Sequence, residues 1–238
     1  MKIIKTTIKT GLAAVLLLAI ACKKESNTLQ SSRIADKSST DVETGVTAKY
    51  VSIKIGTQKW MTTNLAVSHY RNGDKIPQVK DPAEWAGLTT GAWCWYNNDS
   101  AIGAVYGKLY NWYAVHDPRG LAPTGWHVPS YDELDTLSKF LGGKAVAGGK
   151  IKETGTNHWL APNTGATNSS GFTALPGGYR DYSGSSAGDG IGAFGPCWTS
   201  TKSSATGAWN LGLHYDSGEF FRISHDKRFG FSVRCLRD

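Results

Sequence analysis

The sequence predicts an α+β fold built mostly from antiparallel strands, with one or two helices and long loops. Three observations lead to this prediction. Short runs of alternating apolar and polar residues, typical of half-buried strands, occur at both ends of the region that begins at residue 50. One stretch near the middle has apolar residues at helical spacing. Glycine accounts for 28 of the 238 residues, and many glycines lie in turn-like segments between these elements.

The clearest single element is a helix predicted at about 131–141. Ser130 and Glu133 form the S-x-x-E pattern of a capping box, in which both side chains satisfy N–H groups at a helix start. Gly142 and Gly143 follow as a stop signal, since glycine readily adopts the left-handed conformation that ends many helices. The helix is predicted to carry an apolar stripe of Leu134, Leu137 and Leu141, with Phe140 beside them, and the leucines are predicted to belong to the core.

Strands are predicted on both sides of this helix. A first strand at 50–55 places Val51, Ile53 and Ile55 on one face, and a turn at 56–57 leads into its hairpin partner at 58–63. An antiparallel meander is predicted to close the domain, with strands at 197–201, 208–215, 219–223 and 229–236.

The segments between these strands carry weaker signals. The aromatic-rich segments 92–96 and 106–115 are predicted to be pleated and to belong to the core. A helical turn is predicted at 82–87, and a short strand or turn around Ile151 in the segment 148–160. Loops are predicted over 157–175 and 176–195.

The first 22 residues have the features of a bacterial lipoprotein signal. Three lysines precede an apolar run of eleven residues at 11–21, which is too short to span a bilayer. Small residues then lead to Cys22, the predicted lipidation site. Residues 23–49 are polar and contain no aromatic residue, so they are predicted to form a flexible tether. A single globular domain is predicted at 50–238, and the protein is predicted to be an outer-membrane lipoprotein, periplasmic or surface-facing.

The charge of the chain excludes one class of partner. Removing the signal leaves 23 basic and 19 acidic residues, a net charge of +4 in place of +7. The basic residues do not cluster on one predicted helix or face, as they do in proteins that bind nucleic acids. The predicted partners are therefore the membrane, through the lipid anchor, and a glycan or an envelope protein.

Several motifs follow one another in an order that identifies a family. They are 55–58 (IGTQ), 60–61 (WM), 64–65 (NL), 107–115 (GKLYNWYAV), 123–130 (PTGWHVPS), 167–172 (TNSSGF), 174–180 (ALPGGYR) and 232–235 (SVRC). Together they resemble the Fibrobacter succinogenes major paralogous domain over about residues 50–237. The resemblance implies a C-type lectin-like fold, similar to that of formylglycine-generating enzymes, in a secreted or lipid-anchored protein of Bacteroidetes and Fibrobacter.

The cysteines are the one departure from the family pattern. If Cys22 carries lipid, three cysteines remain and at most one intramolecular bridge can form. Cys197 stands where the family usually has a tryptophan. A disulfide between Cys197 and Cys235, or between Cys94 and Cys235, is therefore predicted as an alternative to free thiols.

No residue set predicts catalysis or a metal centre. The six histidines occur in no zinc-binding spacing and are interpreted as surface or satisfied polar residues. No cofactor is predicted, and calcium held by loop oxygens near Asn168 or Asp189 is left as an alternative. The loop at 176–195 offers a ligand-binding surface of tyrosines and charges on a Gly/Ser-rich background, which consists of Tyr179, Arg180, Asp181, Tyr182 and Asp189. The alternative is that Arg180 and Asp181 form a buried structural ion pair.

Three functions are compatible with these features. The first is a non-catalytic, lipid-anchored envelope protein whose lectin-like domain binds a glycan or a protein. The second is a thiol- or copper-dependent oxidase of formylglycine-generating type, which needs a reactive cysteine. The third is a purely structural component of the envelope. Because the sequence shows no recognisable set of catalytic residues, the first function is favoured.

Overall fold

The computed structural model of the chain describes residues 50–186 and 190–238. The predicted signal (1–22) with Cys22, the tether (23–49) and Asp189 lie outside the described residues. Within the described part, no helix is long and apolar enough to cross a membrane.

Short strands and helices are interspersed along the described chain. The strands are β1 (Ser52–Ile55), β2 (Gln58–Met61), β3 (Trp93–Cys94), β4 (Leu109–Tyr110), β5 (Trp126–His127), β6 (Cys197–Lys202), β7 (Gly207–Gly212), β8 (Phe221–Asp226) and β9 (Leu236–Arg237). The helices are α1 (Pro82–Ala86), α2 (Ser100–Tyr106), α3 (Trp112–Val115), α4 (Tyr131–Phe140) and α5 (Lys144–Ile151), with a 3₁₀ turn at Tyr96–Asn98. The α+β class is confirmed, but the described residues contain five helices instead of one or two.

The strands form three antiparallel sheets. The largest has the order β1-β2-β9-β5, the second pairs β3 with β4, and the third has the order β6-β7-β8. The third sheet confirms the predicted meander for its first three strands. The prediction of a fourth strand at 229–236 is wrong. Only Leu236–Arg237 is a strand, and it pairs with β2 and β5 in the first sheet, because the chain leaves the meander after β8.

The hairpin β1–β2 forms as predicted, with four paired positions in register. Gly56 turns the chain with φ +62°, a conformation that glycine adopts without steric cost. Ile55 is buried, whereas Val51, predicted to share its face of the strand, is 64% exposed. The reason is that β1 begins at Ser52, one residue after Val51.

Helix α4 confirms the predicted capping box and stop signal. The Ser130 N–H donates to Glu133 Oε2 at 2.7 Å, and Glu133 N–H donates to Ser130 Oγ at 3.3 Å. Gly142 and Gly143 have φ of +98° and +94°. The three leucines of the stripe are buried, whereas Phe140, predicted to lie beside them, is 64% exposed. It lies about 100° around the helix from its neighbour Leu141, outside the buried leucine stripe.

The prediction of a strand or turn around Ile151 is wrong, because this residue ends helix α5. The two glycines in α5 allow close packing and do not form a turn. A Cβ at Gly148 would lie 2.1 Å from the carbonyl oxygen of Glu219, and one at Gly149 would lie 2.1 Å from that of Gly165. Contacts with residues distant in sequence therefore select a helix that local signals do not indicate.

The aromatic-rich segments 92–96 and 106–115 are largely core, as predicted. Their buried aromatic residues are Trp93, Tyr96, Tyr110 and Trp112. Part of 106–115 is helical, because Asn111 caps α3 by accepting the Ala114 N–H at 3.0 Å. Buried indoles satisfy their N–H groups with main-chain carbonyls of other elements, as Trp112 does with Thr199 at 2.9 Å and Trp198 with Tyr110 at 2.9 Å.

Candidate binding site

An open cleft of about 310 Å³ lies on one face of the sheet β6-β7-β8. The other face of that sheet packs against α4. Because side chains alternate along a strand, Asn210 and Gly212 of β7 share the cleft face with Ile223 and His225 of β8. A Cβ at Gly212 would lie 2.7 Å from Ile223 Cδ1, so a side chain at this position would displace the end of the Ile223 side chain at the cleft.

Aromatic rings form much of the cleft wall, and Tyr179 is at their centre. Its ring centroid lies 6.0 Å from Phe194, 6.1 Å from Phe229 and 6.3 Å from Phe231. Phe229 and Phe231 are themselves 5.4 Å apart. Burial first, and then the nearby Asp181 and Tyr96, raise the pKa of Tyr179, so its hydroxyl stays protonated at neutral pH. The aromatic wall of the cleft is therefore apolar apart from the neutral hydroxyl group of Tyr179.

His225 presents a hydrogen-bond acceptor beside the cleft. Its Nδ1 lies 2.8 Å from Asn210 Oδ1, and Asn210 Nδ2 donates to the carbonyl oxygen of Leu211 at 3.0 Å. The amide is thus oriented with its oxygen toward the imidazole, which places the proton on Nδ1. Burial lowers the pKa of His225, so the ring is neutral at pH 7 and Nε2 keeps its lone pair.

His214 is the second imidazole of the cleft. Its ring lies 4.9 Å from Phe194 and 4.7 Å from Phe221. Among residues 50–186 and 190–238, neither ring nitrogen has a hydrogen-bond partner. Burial lowers the pKa of His214; Asp216 opposes this shift and the charge of Lys152 adds to it. The cleft therefore holds unpaired polar atoms in a mostly apolar surrounding, as ligand pockets commonly do.

The predicted ligand-binding residues differ in their position relative to the cleft. Tyr179 lines the cleft, and Tyr182 is 52% exposed with its ring 5.7 Å from that of Phe229. Asp181 holds its own loop, because Oδ1 accepts from the N–H groups of Ser183 and Ser185 at 2.8 and 3.1 Å. Asp189 lies outside the described residues.

The prediction that Arg180 belongs to the ligand-binding surface is corrected by the structure. This residue is only 2% exposed and does not line the cleft. Its guanidinium donates to the carbonyl oxygens of Gly184, Val79 and Lys80 at 2.8–2.9 Å and lies 4.7 Å from the ring of Trp85. The alternative is right that Arg180 is buried and structural, but its partners are carbonyl oxygens and not the carboxylate of Asp181. Arg180 instead fixes the base of the loop that carries Tyr179.

Sequence reasoning misses the two histidines and Phe194 as members of this cleft. The alternation 221–223–225 within β8 is the signal that could identify one of them, since it puts His225 on the same face as Ile223. Nothing local indicates that Phe194, from a loop, completes the wall.

Cys94, Cys197 and Cys235 are free thiols in this structure, so neither predicted disulfide is present. Burial raises the pKa of Cys94 and of Cys197 to about 11, and that of Cys235 still further. Such thiols are protonated at neutral pH and are weak nucleophiles.

No cluster suited to metal coordination occurs in the part of the chain that the structure describes, where no three His, Cys, Asp or Glu side chains come together. At the predicted calcium alternative, Asn168 Oδ1 accepts the Thr173 N–H at 2.8 Å, and Nδ2 donates to Thr173 Oγ1 at 2.9 Å. The Asn168 amide therefore closes a loop of its own chain.

Two of the sequence motifs, 64–65 and 232–235, meet in the interior, whereas Tyr179 of the motif 174–180 lines the cleft. Arg234, from the last motif, donates through Nε and Nη2 to Asn64 Oδ1 at 3.2 and 3.0 Å, and Asn64 belongs to the third motif. Leu65 N–H donates to the carbonyl oxygen of Val233 at 2.8 Å. A family model described as the Fibrobacter succinogenes major domain matches residues 53–237. The chain belongs to this family. No match is found among the curated proteins or among the solved structures.

In this Fibrobacter succinogenes major domain, the PTGWHVPS motif links the C-terminus to α4. His127 Nε2 lies 2.9 Å from Glu133 Oε1, and Nδ1 lies 2.7 Å from Asp238 Oδ1. Two carboxylates around one ring favour the doubly protonated imidazolium. Burial would lower the pKa of His127, but the hydrogen bonds and charges of Asp238 and Glu133 outweigh it and raise the pKa.

This link predicts a pH-dependent stability. Because the folded-state pKa of His127 is raised, its stabilisation is fully present below the unfolded-state pKa of about 6.5 and is lost as pH rises through the folded-state value. We expect His127→Gln to lower the unfolding free energy by about 1 kcal/mol at pH 6 and by less at pH 9, since the pair is partly solvent-exposed. Urea unfolding at both pH values measures this difference. The exposed His69→Gln is the control, and an equal loss at both pH values would contradict the assignment.

Proposed function

We propose that this Fibrobacter succinogenes major domain protein is a non-catalytic, lipid-anchored protein of the outer membrane, and that its domain binds a glycan or an envelope protein. The aromatic cleft on the β6-β7-β8 sheet is the observation that carries the proposal. Its volume is near the lower end of known ligand pockets, which suits one sugar ring or one large side chain.

The chemistry of the cleft is suited to either ligand. The faces of Tyr179 and Phe229 can pack against the C–H face of a sugar or against an apolar side chain. The acceptor on His225 Nε2 and the free nitrogens of His214 can then orient a hydroxyl or an amide. A few polar atoms that give direction within an apolar pocket are the usual basis of ligand specificity.

Anchoring and fold belong to the same proposal. The signal features of 1–22 and the polar segment 23–49 support attachment through Cys22 by a flexible tether. The family membership supports a C-type lectin-like fold, because the sequence motifs that imply this fold lie within the matched residues. A formylglycine-type oxidase is less well supported, because burial raises the pKa of each described thiol.

Binding through the cleft is tested with the chain expressed without residues 1–22. A glycan array and crosslinking to envelope extracts supply the ligand, and Phe229→Ala is then expected to weaken its binding about tenfold. The physical reason is the loss of an aromatic contact worth roughly 1–1.5 kcal/mol. Titration calorimetry measures the change in affinity, and thermal melting shows that the variant remains folded.

A matched control is available on another surface. Phe140→Ala removes an equally large and more exposed aromatic ring that does not line the cleft, and it should leave affinity unchanged. Absence of any ligand at high micromolar concentration would count against the proposal. Equal losses of ligand affinity in Phe229→Ala and Phe140→Ala would also count against it.

A further inference from the structure

Strand β8 is an open edge beside the cleft. In the sheet order β6-β7-β8 it pairs only with β7, and its six residues pair without a bulge. Its cleft-facing residues Ile223 and His225 alternate with the exposed Arg222 and Ser224. A regular, exposed edge strand can accept another extended chain through its main-chain groups.

The hydrogen-bond pattern shows which main-chain groups point outward. Lys227 N–H donates to the carbonyl oxygen of Thr206 at 2.9 Å, and this pair continues the register of β7 and β8. Antiparallel pairs alternate, so Ile223 and His225 bond to β7 while Arg222 and Ser224 point away. Trp209, opposite Ser224, accordingly directs its carbonyl oxygen toward β6 and accepts from Thr199 Oγ1 at 2.7 Å.

The outward groups of Arg222 and Ser224 have no main-chain partner in the described parts of the chain. At each end of this unpaired stretch of β8, hydrogen bonds within the protein already occupy the outward main-chain groups. Phe220 N–H donates to the carbonyl oxygen of Lys144 at 2.8 Å, and Phe229 N–H donates to that of Asp226 at 3.0 Å. The edge of β8 between these two hydrogen bonds forms a slot that accommodates about five residues of extended chain. A narrow peptide fits such a slot better than the edge of a second folded domain.

The two faces of the slot differ in chemistry. One face is the aromatic cleft. On the other face, the Arg222 guanidinium lies 3.8 Å from the ring centroids of both Tyr131 and Trp209. Lys144 and Lys139 pair with Asp135 at 3.9 and 2.8 Å, Asp135 also interacts electrostatically with Arg222, and Asp132 lies near Lys139, so three cations face two carboxylates. This face is therefore net positive and complements an acidic side chain.

We propose that an extended segment of a partner protein, with alternating apolar and acidic residues, adds to the edge of β8 and inserts an apolar side chain into the cleft. The period of two along a strand puts the acidic residues beside Arg222 and the apolar ones over Ile223 and His225. This inference rests on the proposed function, because it uses the same cleft and names a protein, not a glycan, as the partner.

The test uses three blocked heptapeptides as probes with the chain expressed without residues 1–22. The first alternates, Thr-Glu-Phe-Glu-Phe-Glu-Thr; the second has the same composition in blocks, Thr-Glu-Glu-Glu-Phe-Phe-Thr; the third replaces each Glu of the first with Lys. We expect the first to bind with a Kd of about 1 mM or tighter and to shift the amide resonances of Arg222 and Ser224. The other two should bind at least about tenfold more weakly, because they lose the alternation or the charge match.

Two variants locate the contact. Ser224→Pro removes an outward N–H without removing a bond to β7, and it should reduce binding at least about tenfold relative to Ser224→Ala. Arg222→Glu should reverse the preference between the Glu and Lys peptides. The idea is overturned if no peptide gives saturable shifts, if the block peptide binds equally, or if sedimentation shows that β8 is occupied by a second copy in a Ser224→Pro-sensitive dimer. If Ser224→Pro leaves the ligand of the Phe229 experiment bound, the edge proposal fails while the cleft proposal stands.

Discussion

Replacing Arg234 with methionine is expected to destabilise the domain by about 3–5 kcal/mol, a large effect for a single substitution. Arg234 is almost completely buried, although it carries a charge. Burial lowers the pKa of Arg234 to about 10, with Cys197 opposing the shift, so the guanidinium is still protonated at pH 7. Its hydrogen bonds must therefore compensate for the loss of water.

Those hydrogen bonds connect three parts of the chain. The guanidinium donates to Asn64 Oδ1 through two nitrogens, to the carbonyl oxygen of Phe172 through Nη1, and to that of Thr173 through Nη2 at 3.3 Å. It also lies 4.4 Å from the Phe172 ring. Methionine fills similar volume but donates nothing, which leaves buried oxygens unsatisfied.

Urea unfolding of Arg234→Met against the unmodified chain measures this loss. Arg222→Met is a matched control, since Arg222 also stacks on aromatic rings but is exposed, and its loss should stay within about 1 kcal/mol. Arg234→Lys should recover only part of the stability, because an ammonium cannot reproduce the planar fork. Equal losses at positions 234 and 222 would show that Arg234 does not hold these segments together.

Local signals explain the parts of the fold that the sequence predicts correctly. Helix α4 has its cap, its leucine stripe and its two terminal glycines within fifteen residues, and each acts at short range. The β1–β2 hairpin likewise needs only a glycine turn and alternation. The errors arise where distant contacts decide. Gly148 packs against the backbone of Glu219, and this contact explains a glycine-containing helix that the sequence indicates as a turn.

The candidate site is harder to predict for the same reason. Tyr179 lines the cleft, but its neighbour Arg180, predicted to share the same surface, turns inward to carbonyls 100 residues away in sequence. His225 looks like a surface residue in a polar segment, and only the pairing of β7 with β8 brings Asn210 to its Nδ1. Strand alternation can assign a face to a residue. It does not show what lies opposite that face, because the opposing loop comes from elsewhere in the chain.

The second large effect is expected at Lys152, whose ammonium group donates to the main chain of the cleft residue His214. Lys152 is completely buried, and its Nζ donates to the carbonyl oxygens of Thr164, His214 and Ser217 at 3.0, 2.9 and 2.8 Å. All three donors of the ammonium group are thus used. Burial lowers the pKa of Lys152 to about 8, with Asp216 opposing the shift, so the group remains mostly charged at pH 7. The lysine therefore fixes the segment that carries His214.

We expect Lys152→Met to lower the unfolding free energy by about 2–4 kcal/mol, because three buried carbonyls lose their donor. Since one of these carbonyls belongs to His214, the substitution should also shift the amide resonances of residues 214–217 and weaken cleft binding. Urea unfolding and ligand titration measure the two effects together. Lys150→Met, in the same helix, is the control and should change both by little. A stable Lys152→Met variant with an unaltered cleft would show that neighbouring packing, and not the ammonium group, holds His214 in place.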